Sequence, residues 1–128
     1  MVRILVADDH QMVRLAVSQI IEQTDKNWIV CCEATNGNEA IKRAVELRPD
    51  LVMLDFAMPD LDGISAGKRI RAALPETPVL VYTFMVTPQL EAFVKASGLQ
   101  GVVPKADTQA LIAEVRRVLS SMPCAAPR

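Results

Sequence analysis

No run of apolar residues in this 128-residue chain approaches the length that spans a bilayer. The N-terminus, MVRILVADDH, meets acidic residues too early for a secretory signal. Neither charge sign dominates. Fourteen Lys and Arg against 15 Asp and Glu leave a formal net charge of -1, and the basic residues are scattered, so no surface for nucleic acid is marked. Only three cysteines occur, none in a CxxC pair. Cys31 and Cys32 are neighbours that would face opposite ways on a strand, which disfavours a bridge between them. Reduced thiols in the cytoplasm are the expectation. No Gly-rich phosphate loop, internal repeat or low-complexity segment is present.

What is present describes an ordinary folded domain. A hydrophobic content of 51% and a charged content of 23% argue against disorder, and the length suffices for one core. Short apolar runs predict strands at 2–7 (VRILVA), 28–34 (WIVCCEA), 51–54 (LVML), 78–83 (PVLVYT) and 101–104 (GVVP). Helical periodicity fills the intervals. Over 11–23, Met12, Ala16 and Ile20 form one stripe with Val13, Val17 and Ile21 beside it. A second helix spans 38–48 after an Asn36-Gly37 turn and stops at Pro49; a third spans 64–74. A fourth, 88–97, carries Leu90, Phe93 and Val94 and ends at Gly98. Asp107 or Thr108 caps the fifth. Residues 1–121 read as one domain, and 122–128 as a frayed tail or the start of a linker.

Five successive β-α units predict an α/β fold, a parallel sheet covered by helices on both faces. With strand order 2-1-3-4-5 this is a three-layer, flavodoxin-like (βα)5 arrangement, and Pro104, lacking an N–H, suits its edge. All strands of such a sheet end on one edge, where these folds bind ligands. The first ends in Asp8-Asp9, the third in Asp55, the fourth in Thr83 and the fifth in Lys105, while the second is ambiguous near Glu33. The switch point between strands one and three makes Asp8, Asp9 and Asp55 converge.

Three carboxylates in one crevice take up protons unless a cation compensates them, and Mg²⁺ suits a few carboxylates plus water. Lys105 adds a point charge and Thr83 a hydroxyl, both able to meet phosphoryl oxygens. The set points to transfer of a phosphoryl group onto a carboxylate. Each residue also has a structural reading. Asp8 or Asp9 caps the first helix, Asp55 is a turn residue, Thr83 a cap and Lys105 a solvated side chain. Their conjunction on one edge favours the chemical reading. His10 is expected to be exposed or capping.

The motifs VADDH, LDFAMPDLDG, VLVYT and GVVPK, in this order over about residues 2–121, resemble the response-regulator receiver domains of two-component signalling. The resemblance implies that Asp55 accepts a phosphoryl group from the phosphohistidine of a histidine kinase. It implies that Asp9 binds Mg²⁺ directly and Asp8 partly through water, with Asp55 and the Ala57 backbone carbonyl completing the protein's share. Lys105 and Thr83 would bind the phosphoryl group, making the domain a switch and not an enzyme. The surface of the fourth helix, fifth strand and fifth helix would carry the signal to a partner or a dimer mate. Pro59 would fix φ in the loop after Asp55, and Gly63 would permit a positive φ.

Some positions depart from the family pattern. Receivers usually place an aromatic three residues before the lysine, where this chain has Val102, and a proline after it, where this chain has Ala106. Phe84 is bulkier than the residue many relatives carry beside the threonine. Ala57 and Met85, two residues after Asp55 and Thr83, cannot hydrogen-bond an attacking water through their side chains, so slow self-dephosphorylation is expected. A metal-dependent phosphatase usually carries D-x-D after strand one, which adjacent Asp8-Asp9 does not fit. VADDH, LPETPVLVYT and the spacing to GVVPK look like the branch whose receivers precede a helix-turn-helix DNA-binding domain, and no such segment is read in these residues. The alternative is a stand-alone or degenerate receiver acting through protein contacts.

Overall fold

The computed structural model describes residues 1–121, and the tail expected at 122–128 lies outside them. In chain order the elements are β1 (Val2–Ala7), α1 (Gln11–Thr24), β2 (Trp28–Ala34), α2 (Gly37–Leu47), β3 (Leu51–Asp55), α3 (Gly63–Ala73), β4 (Val79–Thr83), α4 (Pro88–Ala96), β5 (Gly101–Pro104) and α5 (Thr108–Ser121). Every strand pairs parallel to its neighbours in the order β2-β1-β3-β4-β5, the arrangement the β-α alternation predicted, with Pro104 on an edge strand.

Side-chain alternation splits the core into two layers. Ile4 and Val6 of β1, Leu51 and Met53 of β3, and Leu80 and Tyr82 of β4 meet α1 and α5 through Val17, Ile21, Leu111 and Val115. Leu5, Val52, Leu54 and Val81 face the other way, onto Ala40, Ala44, Ile64, Ile70 and Val94 of α2, α3 and α4. Burial on both faces is why these strands read as nearly unbroken apolar runs.

The helix ends have local causes. Asn36 caps α2, its side chain accepting from Glu39 N at 2.8 Å, so the expected Asn36-Gly37 turn is the cap and first residue of the helix. Asp107, not Thr108, caps α5 by accepting from Ala110 N at 3.0 Å. Gly98 follows α4 with φ +85°, a conformation that penalises a Cβ.

Three local expectations are corrected. A β-bulge between Ile4↔Val30 and Leu5↔Cys32 makes Cys31 an extra residue, so strict alternation does not govern the cysteine pair; both are free thiols. On α1 only Val17, Ser18 and Ile21 are buried, while Met12 is 78% exposed. The stripe Met12, Ala16 and Ile20 instead lines an open groove of about 260 Å³ with Phe84 and Leu111. Gly63 does not use a positive φ. Its Cα packs so closely on the Asp55 peptide that a Cβ would lie 2.3 Å from Asp55 O.

Candidate functional site

Asp8 continues the Ile4, Val6 series and Asp55 the Leu51, Met53 series, so both carboxylates emerge at the carboxyl edge on the α1–α5 side. The register Ala7↔Leu54 makes them neighbours, and both are buried. Lys105 arrives from the end of β5, its backbone N–H donating to Thr83 O at 2.7 Å. Its Nζ lies 2.9 Å from Asp55 Oδ1 and 3.3 Å from Asp8 Oδ2, in a side chain only 5% exposed. The same ammonium faces the rings of Tyr82 and Phe84, 5.2 Å and 4.9 Å from their centroids.

Asp9 sits at the exposed rim. His10 Nδ1 stands 3.2 Å from Oδ1 of both Asp8 and Asp9, and the His10 backbone N–H donates to Asp8 Oδ1 at 2.8 Å. Asp8 therefore closes its own turn and does not cap α1; His10 holds the cap position, but its side chain makes no capping bond. The backbone N–H of Ala57 is 3.4 Å from Asp55 Oδ1, which places that peptide beside the carboxylate.

Two acids share one buried ammonium, and the charge is unbalanced accordingly. Burial, with the nearby Asp8 charge adding to it, pushes the Asp55 carboxyl above its ordinary range, while Lys105 and the Ala57 amide pull it back only in part. Burial and the two acids also push the Tyr82 phenol far up, so it stays neutral and donates to Ala7 O at 3.0 Å. Among the described residues, Asp55 Oδ2 is buried without a hydrogen-bond partner, and so is Asp8 Oδ2 apart from its longer contact with Lys105. Unsatisfied buried carboxylate oxygens are costly unless something charged completes them. One ligand atom from each of Asp8, Asp9, His10 and Asp55 falls within 4.8 Å of the others. The carboxylates are hard oxygen donors, and the set fits a small divalent cation such as Mg²⁺.

Of the residues expected at this edge, Asp8, Asp9, Asp55 and Lys105 are assembled, and of Ala57 it is the backbone N–H that meets Asp55. Thr83 lies at the same edge, half-buried and paired with Pro104, but its hydroxyl makes no hydrogen bond among the described residues. Sequence reasoning undervalued three neighbours. His10 contacts both first-strand acids, Tyr82 ties β4 to the end of β1, and Arg14 donates to Asp8 O at 2.7 Å while pairing with Glu33. Alternation correctly turns Tyr82 away from Thr83, and its hydroxyl then reaches across the sheet.

Comparison with known proteins agrees with this geometry. Residues 4–116 match the response regulator receiver domain family. The response regulator protein VraR of Staphylococcus aureus is 39% identical over 85 residues, covering 66% of this chain and 40% of VraR. The chain thus spans well under half the length of such curated relatives. A two-component response regulator of the LuxR family from Aurantimonas sp. SI85-9A1 superposes with a TM-score of 0.87 at 28% identity, over 92% of this chain and 84% of that one. The signal receiver domain of the putative response regulator NarL from Mycobacterium tuberculosis gives 0.85 at 25% identity, over 94% and 97%. With the fold, the acid cluster and the family match in agreement, the chain belongs to the response regulator receiver domains, the signalling switches of two-component systems.

Proposed function

We propose that Asp55 accepts a phosphoryl group from a phosphohistidine of a histidine kinase, and that the modified domain switches an output. The observation that carries this reading is the buried Asp55 carboxylate, with one oxygen on Lys105 and the other lacking a hydrogen-bond partner among the described residues, beside two further acids. In the transfer the P–N bond to imidazole breaks, a P–O bond to Asp55 forms, and the leaving imidazole takes up a proton from solvent.

Asp8, Asp9, Asp55 and the Ala57 carbonyl would hold Mg²⁺, which when bound neutralises charge on the transferring oxygens. Lys105 donates to the phosphoryl oxygens, so its pairing with Asp55 is exchanged for pairing with the new group. Thr83 supplies its unengaged hydroxyl to a further oxygen, and this inward turn moves the end of β4 and the loop into α4. That loop leads to the face of α4, β5 and α5, where Phe93 is 58% exposed, as the surface for a partner or a second copy. Transcriptional control through a DNA-binding segment is the proposed output, by likeness to LuxR-family regulators. No helix of the described residues is long and apolar enough to cross a membrane.

A second reading, partner binding without phosphorylation, draws on Val102. It is buried against the α3–α4 layer and offers no aromatic group to swing. Acetyl phosphate with Mg²⁺, followed by intact-mass measurement, separates the two. The wild type gains one phosphoryl group and Asp55→Asn gains none. An unmodified wild type, or a modified Asp55→Asn, would overturn the assignment.

A further inference from the structure

Asp60 lies in the loop between β3 and α3, and its carboxylate is used in an uncommon way. Oδ1 accepts from Gly37 N at 2.9 Å and Oδ2 from Asn38 N at 2.8 Å, so one side chain takes the first two free amides of α2, more than twenty residues away. The third free amide, Glu39 N, goes to Asn36. A carboxylate at this end of a helix also meets its positive pole. Although desolvation opposes it, the amides of Asn38 and Gly37 hold the Asp60 carboxyl below its ordinary range.

The contact is tight as well as polar. A Cβ on Gly37 would lie 2.6 Å from Leu61 O and 2.9 Å from Leu61 Cβ, so the loop backbone rests directly on the start of α2. At its other end the loop is closed by Gly63, whose N–H donates to Phe56 O at 2.9 Å and whose Cα abuts the Asp55 peptide. Between these two clamps lies Ala57, whose N–H is 3.4 Å from Asp55 Oδ1 and whose carbonyl opens the next peptide of the loop. Asp60 is the loop side chain that ties it to α2 among the described residues, while Asp62 ties it to α3 by accepting from Ser65 N at 2.9 Å.

We propose that Asp60 is a positioning residue for the cation site. By locking the β3–α3 loop onto the α2 N-terminus, it holds the Ala57 carbonyl where Mg²⁺ can use it. This rests on the Mg²⁺ reading given above, and Asp60 itself touches neither cation nor phosphoryl group. Residues behind a metal's ligands commonly set its affinity by fixing their orientation.

The test separates positioning from helix capping. Mg²⁺ affinity is measured by calorimetric titration on the wild type, Asp60→Ala, Asp60→Asn and Asn36→Ala, with a melting temperature for each. Asn36→Ala removes a cap of the same helix without touching the loop. Asp60→Ala should weaken Mg²⁺ binding by roughly tenfold, with Asp60→Asn in between and Asn36→Ala unchanged. Without Mg²⁺, amide exchange at Ala57 should quicken in Asp60→Ala and not in Asn36→Ala. Equal Mg²⁺ affinity in wild type and Asp60→Ala would overturn the proposal, as would equal weakening by Asp60→Ala and Asn36→Ala. A folded wild type that takes up no Mg²⁺ would instead overturn the cation reading beneath it. If Asp60→Ala does not fold, the ordering of wild type, Asp60→Asn and Asn36→Ala decides alone.

Discussion

Lys105 and Asp55 form an ion pair 2.9 Å long, with 5% and 3% of their side chains exposed. Such a pair is strong as a contact and costly as a burial, because both partners leave water. Here the account is less balanced still, since Asp8 draws on the same ammonium at 3.3 Å. The receiver therefore holds a surplus of negative charge around Asp55, which a divalent cation would relieve.

Replacing Asp55 by Asn should stabilise the metal-free fold. The folded pKa of Asp55 is raised, so the folded state keeps a proton that the unfolded state has released between the ordinary and the raised values. Stability then falls as pH rises through that window, and the penalty persists at neutral pH. Asn carries no charge and leaves Asp8 alone with Lys105. In chelator at neutral pH, Asp55→Asn should melt higher by roughly 3 °C, and the gap should close as pH falls toward the ordinary carboxyl range. An unchanged or lower melting temperature at neutral pH refutes the charge argument.

Lys105→Gln should act in opposite directions on stability and on Mg²⁺. Without the ammonium, two buried acids face each other, and losing one partner of a buried pair costs about 3 kcal/mol or more. The same loss removes the internal competitor for the carboxylates, so Mg²⁺ should bind more tightly and raise the melting temperature more than in wild type. Thermal melts across a Mg²⁺ series check both signs. A smaller Mg²⁺ shift in Lys105→Gln would mean the lysine assists cation binding.

How much of this was legible in the sequence follows from what each signal depends on. Strands buried on both faces announce themselves as apolar runs, and a strand that ends in an acid places that acid on the sheet edge; Asp8, Asp55 and Lys105 were readable for that reason. The Met12 stripe misled because helical period reports an apolar face without saying what covers it, and here a groove remains open. Cys31 was misplaced because a bulge has no residue signature in β2. His10 and Tyr82 owe their places to tertiary contacts, His10 across a one-turn loop and Tyr82 across the sheet to Ala7. Asp60 is similar, since nothing local tells that its partners are Gly37 and Asn38.

Phosphoryl lifetime should be long and tunable at two positions. Ala57 and Met85 are both exposed near the carboxyl edge that holds Asp55, Met85 by 74%, and neither side chain can orient a water for attack. Loss of phosphate from Asp55, followed in Mg²⁺ after donor removal, should be slow in wild type. It should quicken by roughly tenfold or more when Met85→Glu or Ala57→Asn supplies an acceptor that activates water. Rates equal to wild type in both variants would refute this explanation.

Gly63 and Gly98 test two different reasons for a glycine. At Gly98 the backbone has φ +85° and open space around it, so Gly98→Ala should cost about 1 kcal/mol from the left-handed conformation alone. At Gly63 the φ is ordinary, but a Cβ would collide with Asp55 O at 2.3 Å and Phe56 Cα at 3.1 Å, both backbone atoms that move only with the strand end. Gly63→Ala should cost about 2 kcal/mol, as overpacking does, and the strain falls on the Asp55 peptide itself. Denaturant melts give the two costs, and Mg²⁺ titration of the folded variants gives the site. Gly98→Ala should bind Mg²⁺ as wild type does, whereas Gly63→Ala should bind it more weakly. If both variants bound Mg²⁺ like wild type, the close packing of α3 on Asp55 would be a matter of stability and not of site geometry.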